Sequence, residues 1–213
     1  LSGLLSAESK TPIGYIPTGS TNDFASSLKL PLDVLEATKN IIEGQPVPYD
    51  AGRFGGRVFS YVASFGAFTR TSYTTPQSIK NALGHTAYVL EGIQELTQIR
   101  NEHIKMIVDG EVVEDDFLFG AICNSTSVGG VLTLDPDVVD LQDNKLEILL
   151  VRAPRNLAEL HECILALQDQ TYNCAMLTFR SATHIRIFAD PDMPWTLDGE
   201  REEGHSEVEV VPE

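Results

Sequence analysis

Asp109-Gly110 lies between two β-prone runs, His103 to Asp109 and Glu111 to Phe119, and no other stretch narrows the possible folds as far. Both runs alternate apolar and polar side chains, which is the period of a strand with one face buried. The Asp-Gly pair supplies the left-handed positions that a two-residue turn requires, so the two runs are expected to form an antiparallel hairpin. Gly55-Gly56 predicts a second hairpin within residues 49–68, whose clearest run is Arg57-Val58-Phe59-Ser60-Tyr61-Val62-Ala63.

The same reading extends along the chain. Residues 117–123 continue as a buried strand, residues 146–151 make another, and 174–179, 184–189, 195–197 and 208–211 complete an all-β finish. Helical spacing occupies residues 33–44, where Val34, Ala37, Ile41 and Ile42 share a side and Gly44 is the stop. It returns at residues 87–99 and again at 157–168, through Leu157, Leu160, Ile164 and Leu167. Residues 68–84 read as a mobile connection and residues 124–130 as a polar turn. Antiparallel hairpins with few helices, without regular βαβ alternation, predict an α+β protein, mainly β, whose larger unit is β-sandwich-like.

Near the start, the apolar run Ile13-Gly14-Tyr15-Ile16 leads through a polar loop to an expected helix start, a strand–turn–helix corner. Gly19 permits backbone conformations closed to other residues, and Ser20, Thr21, Asn22 and Asp23 can each cap free N–H groups of the helix's first turn. Phe24 and Leu28 then fall on one helical face, and Pro31 ends the helix. Such a corner either holds a phosphate or is an ordinary capped helix start, and spacing does not separate the two.

Charge narrows the partners. With 15 basic against 31 acidic residues the net charge is -16, which argues against an extended nucleic-acid interface and against strong adhesion to anionic lipid. Cys123, Cys163 and Cys174 lack Cys-x-x-Cys spacing and suit a reducing cytosol. No run of about 18 apolar residues predicts a membrane span, so any contact with a bilayer is expected to be peripheral.

Three stretches could carry chemistry. Leu197-Asp198-Gly199-Glu200 places two carboxylates at an Asp-Gly turn, but Asp109-Gly110-Glu111 repeats the tripeptide, so either is a catalytic pair or a plain hairpin turn. The loop from Asp135 to Lys145 is rich in oxygen donors, which fits either a hard cation or a solvated acidic turn. The five histidines show no ligand spacing, and the acidic tail 200–213 reads as a solvated hairpin.

Pro17-Thr18-Gly19-Ser20-Thr21-Asn22-Asp23-Phe24-Ala25 resembles the proline–x–glycine–threonine–x–asparagine–aspartate–phenylalanine–alanine signature of the bacterial diacylglycerol kinase-like lipid kinases, a family that includes sphingosine and ceramide kinases. It departs at Ser20, which keeps a hydroxyl where threonine is usual. Leu197-Asp198-Gly199-Glu200 resembles the family's C-terminal leucine–aspartate–glycine–glutamate in sequence and position.

The resemblance implies the tail end of an α/β nucleotide-binding domain over residues 1–46. It implies a β-sandwich-like lipid domain over 47–213, whose last strands return toward the first, with the site in the cleft between them. It further implies ATP contacts at Gly19, Ser20, Thr21, Asn22 and Asp23, a general base at Asp198, and Glu200 orienting that base or its metal-bound neighbours. Mg²⁺ would be held by the Asp143 side chain and the carbonyls of Asp140 and Lys145, where the family's aspartate–glycine pair has become Asp143-Asn144.

The expected activity is an ATP-dependent, Mg²⁺-requiring phosphorylation of diacylglycerol or a related lipid at the membrane surface. The expected protein is cytoplasmic and peripheral, with no transmembrane segment, no nucleic-acid partner and a homodimeric assembly. In the family a glycine–glycine–aspartate–glycine–threonine phosphate loop precedes a segment like Leu1-Ser2-Gly3-Leu4-Leu5, so these residues alone are expected to be a truncated portion that binds ATP weakly and turns over nothing. Two rivals stand beside this reading. One is a kinase for another alcohol, such as a sphingoid base, phosphatidylglycerol or a soluble alcohol; NAD kinase fits less well because its motifs are not matched. The other is a noncatalytic lipid-binding or regulatory module that keeps the sandwich alone.

Overall fold

The computed structural model describes residues 2–7, 9–19, 21–66, 101–128, 132–172 and 174–213. The expected connection at 68–84 and helix at 87–99 fall outside these residues, as does Ser20.

β4 (Glu102–Val108) and β5 (Glu111–Cys123) form the expected hairpin, with Asp109 and Gly110 at φ 48° and 91° in the turn. β1 (Gly52–Phe54) and β2 (Arg57–Phe59) form the second hairpin around Gly55, and β3 (Val62–Gly66) follows after a bend at Ser60 and Tyr61. β5 is thirteen residues long and changes partners along its length. Its first half pairs with β4; beyond Phe117, β3 lies on one edge and β8 (Leu146–Arg152) on the other, with an irregularity between Phe117 and Phe119.

That shared strand lets one sheet curl into two facing halves. One half carries β3, β8, β9 (Leu177–Ala182), β11 (Trp195–Leu197) and β12 (Glu200–Glu202); the other carries β4, β10 (Ile185–Phe188), β13 (Glu207–Pro212), β1 and β2. Phe54, Phe65, Met106, Ile148, Ile187 and Trp195, drawn from both halves, fill the main core between them. The far face of the first half holds a second core, where α4 (Leu157–Gln168) lays Cys163 and Ala166 over Ala121, Leu149 and Val151. β8 is therefore buried on both faces, with Ile148 and Leu150 in one core and Leu149 and Val151 in the other, which is why it reads as a continuous apolar run.

Local chemistry explains the helices. α3 (Val34–Glu43) begins where the Asp33 carboxylate accepts the N–H groups of Leu35 and Glu36, and α4 begins where the Asn156 side chain accepts those of Ala158 and Glu159. Of the α3 residues expected to share a side, Ala37 is buried while Val34, Ile41 and Ile42 are exposed. Two shorter helices, α1 (Ser2–Ser6) and α2 (Asp23–Ser27), lie upstream. α2 stops before the expected proline, because Lys29 turns left-handed at φ 53° and the Leu30 N–H donates back to the Ala25 carbonyl.

Two expectations are corrected. Residues 13–16 are not a strand: among the described residues they pair with none, and Ile13 stays 58% exposed. Apolar content does not make a strand without a ladder to join. The acidic tail is not a solvated hairpin either. β12 pairs with β11, whereas β13 inserts between β10 and β1, because Val208 and Val210 alternate with glutamates and bury themselves in the main core.

Candidate active site at the corner and the Asp-Gly hairpin

The β11–β12 hairpin places Asp198 and Gly199 at φ 51° and 85°, nearly the same turn as Asp109-Gly110. The two turns differ in what the aspartate meets. The exposed Asp109 carboxylate accepts the N–H groups of Thr183 and His184 and the Thr183 hydroxyl. Asp198 is half-buried and reaches the bend before β3: Oδ1 accepts the N–H groups of Tyr61 (2.9 Å) and Val62 (3.1 Å), and Oδ2 accepts that of Ser60. Oδ2 carries one of these bonds where a carboxylate oxygen can take about two, so it retains capacity for another donor.

The Gly19–Asn22 turn closes differently from the expected cap. Asn22 adopts the left-handed conformation at φ 52°, and its Oδ1 accepts the Gly19 N–H at 2.9 Å instead of capping α2. A carboxylate lies beneath this turn. Asp23 is 3% exposed; its Oδ2 accepts the Thr21 hydroxyl at 2.6 Å and its Oδ1 accepts the Ser127 hydroxyl. Edge-to-face contacts from Tyr15 to Phe24 and from Phe24 to Tyr49, at 4.9 and 5.2 Å, tie the corner to the start of the sandwich.

Tyr61 stands within electrostatic reach of both carboxylates. Burial first, then Asp23 and Asp198, push its phenol up to about 12, so it stays a neutral hydroxyl. Tyr49 is pushed up more strongly, by burial and then by Asp198, and its hydroxyl lies 2.8 Å from the Ser60 carbonyl and 2.6 Å from that of Asn124. The structure thus sets Asp198 against the Tyr61 N–H and Asp23 within electrostatic reach of the Tyr61 phenol, with Thr21 bonded to Asp23. Glu200 points elsewhere: its carboxylate meets the Arg57 guanidinium at 2.6 Å, which also binds Glu202.

The acidic loop joins that group through Asn124, whose side-chain amide donates to the Asp50 and Leu141 carbonyls while its main chain binds Tyr49 and Tyr61. Asp143 accepts the Lys145 N–H and ammonium, both at 3.1 Å, Asp140 accepts the Gln142 N–H, and the Asn144 N–H donates to Asp50. Asn144 takes φ 58°, so asparagine fills the left-handed position where the family has glycine. Among the described residues no three His, Cys, Asp or Glu side chains converge as a metal cage. One observation nevertheless suits a cation here. Glu147 is 1% exposed, its Oε2 has no partner, and burial with help from Asp143 and then Asp140 pushes it up to about 7.

Sequence reasoning passed over Tyr49, Tyr61, Ser125, Ser127 and Glu147. The available signal was polarity in an apolar setting: Glu147 interrupts the Leu146 to Val151 run, and Ser125 and Ser127 follow a buried strand.

Residues 1–54 match the diacylglycerol kinase catalytic domain, and residues 62–213 match the YegS C-terminal NAD kinase beta sandwich-like domain. The diacylglycerol kinase of Bacillus subtilis (strain 168) is 30% identical over 202 residues, covering 94% of this chain and 66% of its own length. That of Staphylococcus carnosus (strain TM300) is 32% identical, covering 94% and 65%. The chain therefore spans just under two thirds of these curated relatives. A crystal structure of a diacylglycerol kinase from Bacillus anthracis str. Sterne superposes with a TM-score of 0.69 at 22% identity, covering 99% of this chain and 69% of that one, which shows a shared fold.

Proposed function

The chain belongs to the bacterial diacylglycerol kinase-like lipid kinase family, and from that premise we propose that the whole protein transfers the γ-phosphate of ATP to the hydroxyl of diacylglycerol or a related lipid. The observation that carries this reading is that Asp23 of the corner is bonded to Ser127 of the sandwich, while Asp198 accepts the Tyr61 N–H and both carboxylates bear on the Tyr61 phenol.

On this reading Gly19, Ser20, Thr21, Asn22 and Asp23 line the phosphates of ATP, and the left-handed Asn22 accepts the Gly19 N–H. Phosphoryl transfer asks for positioning above all, plus a group to take the hydroxyl proton as the bond to phosphorus forms. Asp198 is that group. Its Oδ1 is anchored by two backbone amides, and Oδ2 receives the proton. Glu200, opposite Leu197 in the hairpin and held by Arg57, fixes the turn that presents Asp198.

When bound, Mg²⁺ supplies charge neutralisation. The Asp143 carboxylate and the carbonyls of Asp140 and Lys145 would hold a structural ion, a reading favoured by the buried Glu147 oxygen that lacks a partner. No described helix is long and apolar enough to cross a membrane. A cytoplasmic protein that meets its lipid peripherally, as a homodimer, is part of the same proposal.

The second reading, a noncatalytic lipid-binding module, is favoured by one feature: Asp198 serves backbone amides much as Asp109 does. Transfer of labelled phosphate from ATP to a panel of diacylglycerol, sphingoid base, phosphatidylglycerol and soluble alcohols, with the full-length protein in mixed micelles, separates the two. Labelled lipid supports the kinase. A panel with no labelled acceptor leaves the module.

A further inference from the structure

α2 meets the sandwich through hydroxyls. The Ser27 hydroxyl contacts that of Ser125 at 2.7 Å, donates to the Asp23 carbonyl at 2.9 Å and accepts the Thr126 N–H at 3.1 Å. The Ser125 hydroxyl in turn accepts the Ser127 N–H at 3.1 Å and reaches the Ser127 carbonyl. Ser127 completes the circuit by donating to Asp23 Oδ1, whose other oxygen takes the Thr21 hydroxyl. Asp23, Ser27 and Ser125 are buried, at 3%, 6% and 0% exposure.

These partners come from distant parts of the chain. Ser27 and Ser125 are 98 residues apart in sequence, and Asp23 and Ser127 are 104 apart. One side is the turn carrying Gly19, Thr21 and Asn22. The other is the polar loop between β5 and β6 (Ser127–Val128). Apolar packing would hold the two segments together without fixing their register, whereas short hydroxyl bonds to a buried carboxylate fix both distance and direction.

We propose that Ser127, supported by the Ser27–Ser125 pair, is a positioning residue: it holds the Asp23 carboxylate and thereby sets the geometry of the Gly19–Asn22 turn that receives the nucleotide. The sandwich loop thus tunes ATP affinity without touching ATP. The nucleotide part of this rests on the kinase reading above.

Two variants of the full-length protein test it, Ser127→Ala, which removes the hydroxyl, and Ser127→Thr, which keeps one. Three readouts are compared: amide hydrogen exchange of Ser26, Leu28 and Leu30, the KM for ATP, and kcat with the lipid acceptor. The expected result for the alanine variant is faster exchange at these amides and a KM for ATP raised roughly tenfold, the scale of one lost hydrogen bond to a charged group. Little change in kcat is expected, and the threonine variant should restore exchange and KM together.

Unchanged exchange in Ser127→Ala overturns the clasp. Faster exchange with an unchanged KM overturns its tuning of the nucleotide, leaving a structural contact alone. A uniform loss of activity that tracks loss of folded protein, without rescue by threonine, overturns it as well. A wild-type protein that neither binds nor turns over ATP overturns the kinase reading and the tuning with it; that failure is recognised because it appears before any substitution.

Discussion

Asp198 and Val62 bind each other twice: the Asp198 N–H donates to the Val62 carbonyl at 2.8 Å, and the Val62 N–H donates to Asp198 Oδ1 at 3.1 Å. This reciprocal pair locks the Asp-Gly turn of one hairpin onto the first residue of β3. It also orients Oδ2, the oxygen assigned to proton transfer.

Asp198→Asn keeps an amide oxygen for Tyr61 and Val62 but places an NH₂ group opposite the Ser60 N–H. In the full-length protein kcat should fall about 10²- to 10⁴-fold, the usual worth of a general base. Stability should fall by about 1–3 kcal/mol, the cost of one unmet buried donor. Phosphate transfer and urea denaturation read the two effects separately. Full activity in a folded variant would reduce Asp198 to a turn residue.

Asp109→Asn is the matching control. Burial works to raise the Asp109 carboxyl, but the Thr183 hydroxyl and the Thr183 and His184 N–H groups outweigh it and hold the carboxyl below its ordinary value. A depressed carboxyl adds stability above the unfolded value, roughly pH 4, and loses it as pH falls through the folded value. The variant should therefore be less stable than wild type at pH 7, by a margin that narrows as pH falls below about 4, and unchanged in kcat. Denaturation midpoints across that range decide the matter.

Glu147→Gln should show the opposite pH sign. Its native carboxyl rises from 4.5 to about 7, so between those values the folded state holds a proton that the unfolded chain releases. Wild-type stability should fall as pH rises through this window and level off above it. Glutamine removes that slope, and denaturation in chelator at pH 5 and pH 8 measures it. Parallel slopes for wild type and variant would show that Glu147 does not titrate there.

Millimolar Mg²⁺ should raise the thermal midpoint of the wild-type chain by a few degrees if it binds the folded state alone. Asp143→Asn should abolish the shift. An equal rise in both proteins would place the ion somewhere other than this loop.

Gly120→Ala tests the two-layer core. A Cβ at Gly120 would stand 2.1 Å from Phe65 Cε1 and 2.9 Å from Leu150 Cδ2, so the ring must move. The expected cost is about 1–3 kcal/mol, the range for an overpacked core. Phe65→Leu in the same chain should recover part of it, and urea denaturation of the single and double variants gives the coupling.

How far the sequence is legible follows from the range of each interaction. Asp109-Gly110 predicts its hairpin because the turn's backbone demand is met within a few residues. Asp33 and Asn156 announce helices for the same reason, each cap lying within three residues of the N–H it accepts. Residues 13–16 mislead because their apolar pattern is local, whereas a strand needs an edge supplied from elsewhere. The tail misleads because its glutamates suggest solvent, while Val208 and Val210 have a core waiting between β10 and β1.

By itself the sequence determined the hairpins, the caps, the acidic balance and the two motifs that mark the family, since these are written in neighbouring residues. The resemblance singled out Asp198, and only the tertiary structure supplied the physical difference between the two Asp-Gly pairs. The two turns share a backbone geometry, and what separates them is contact with residues more than 130 positions away, at Ser60, Tyr61 and Val62. The hydroxyl clasp on Asp23 has the same origin. Each serine in it is an unremarkable polar residue until folding brings segments about a hundred residues apart within hydrogen-bonding distance, where burial makes an unmet partner costly.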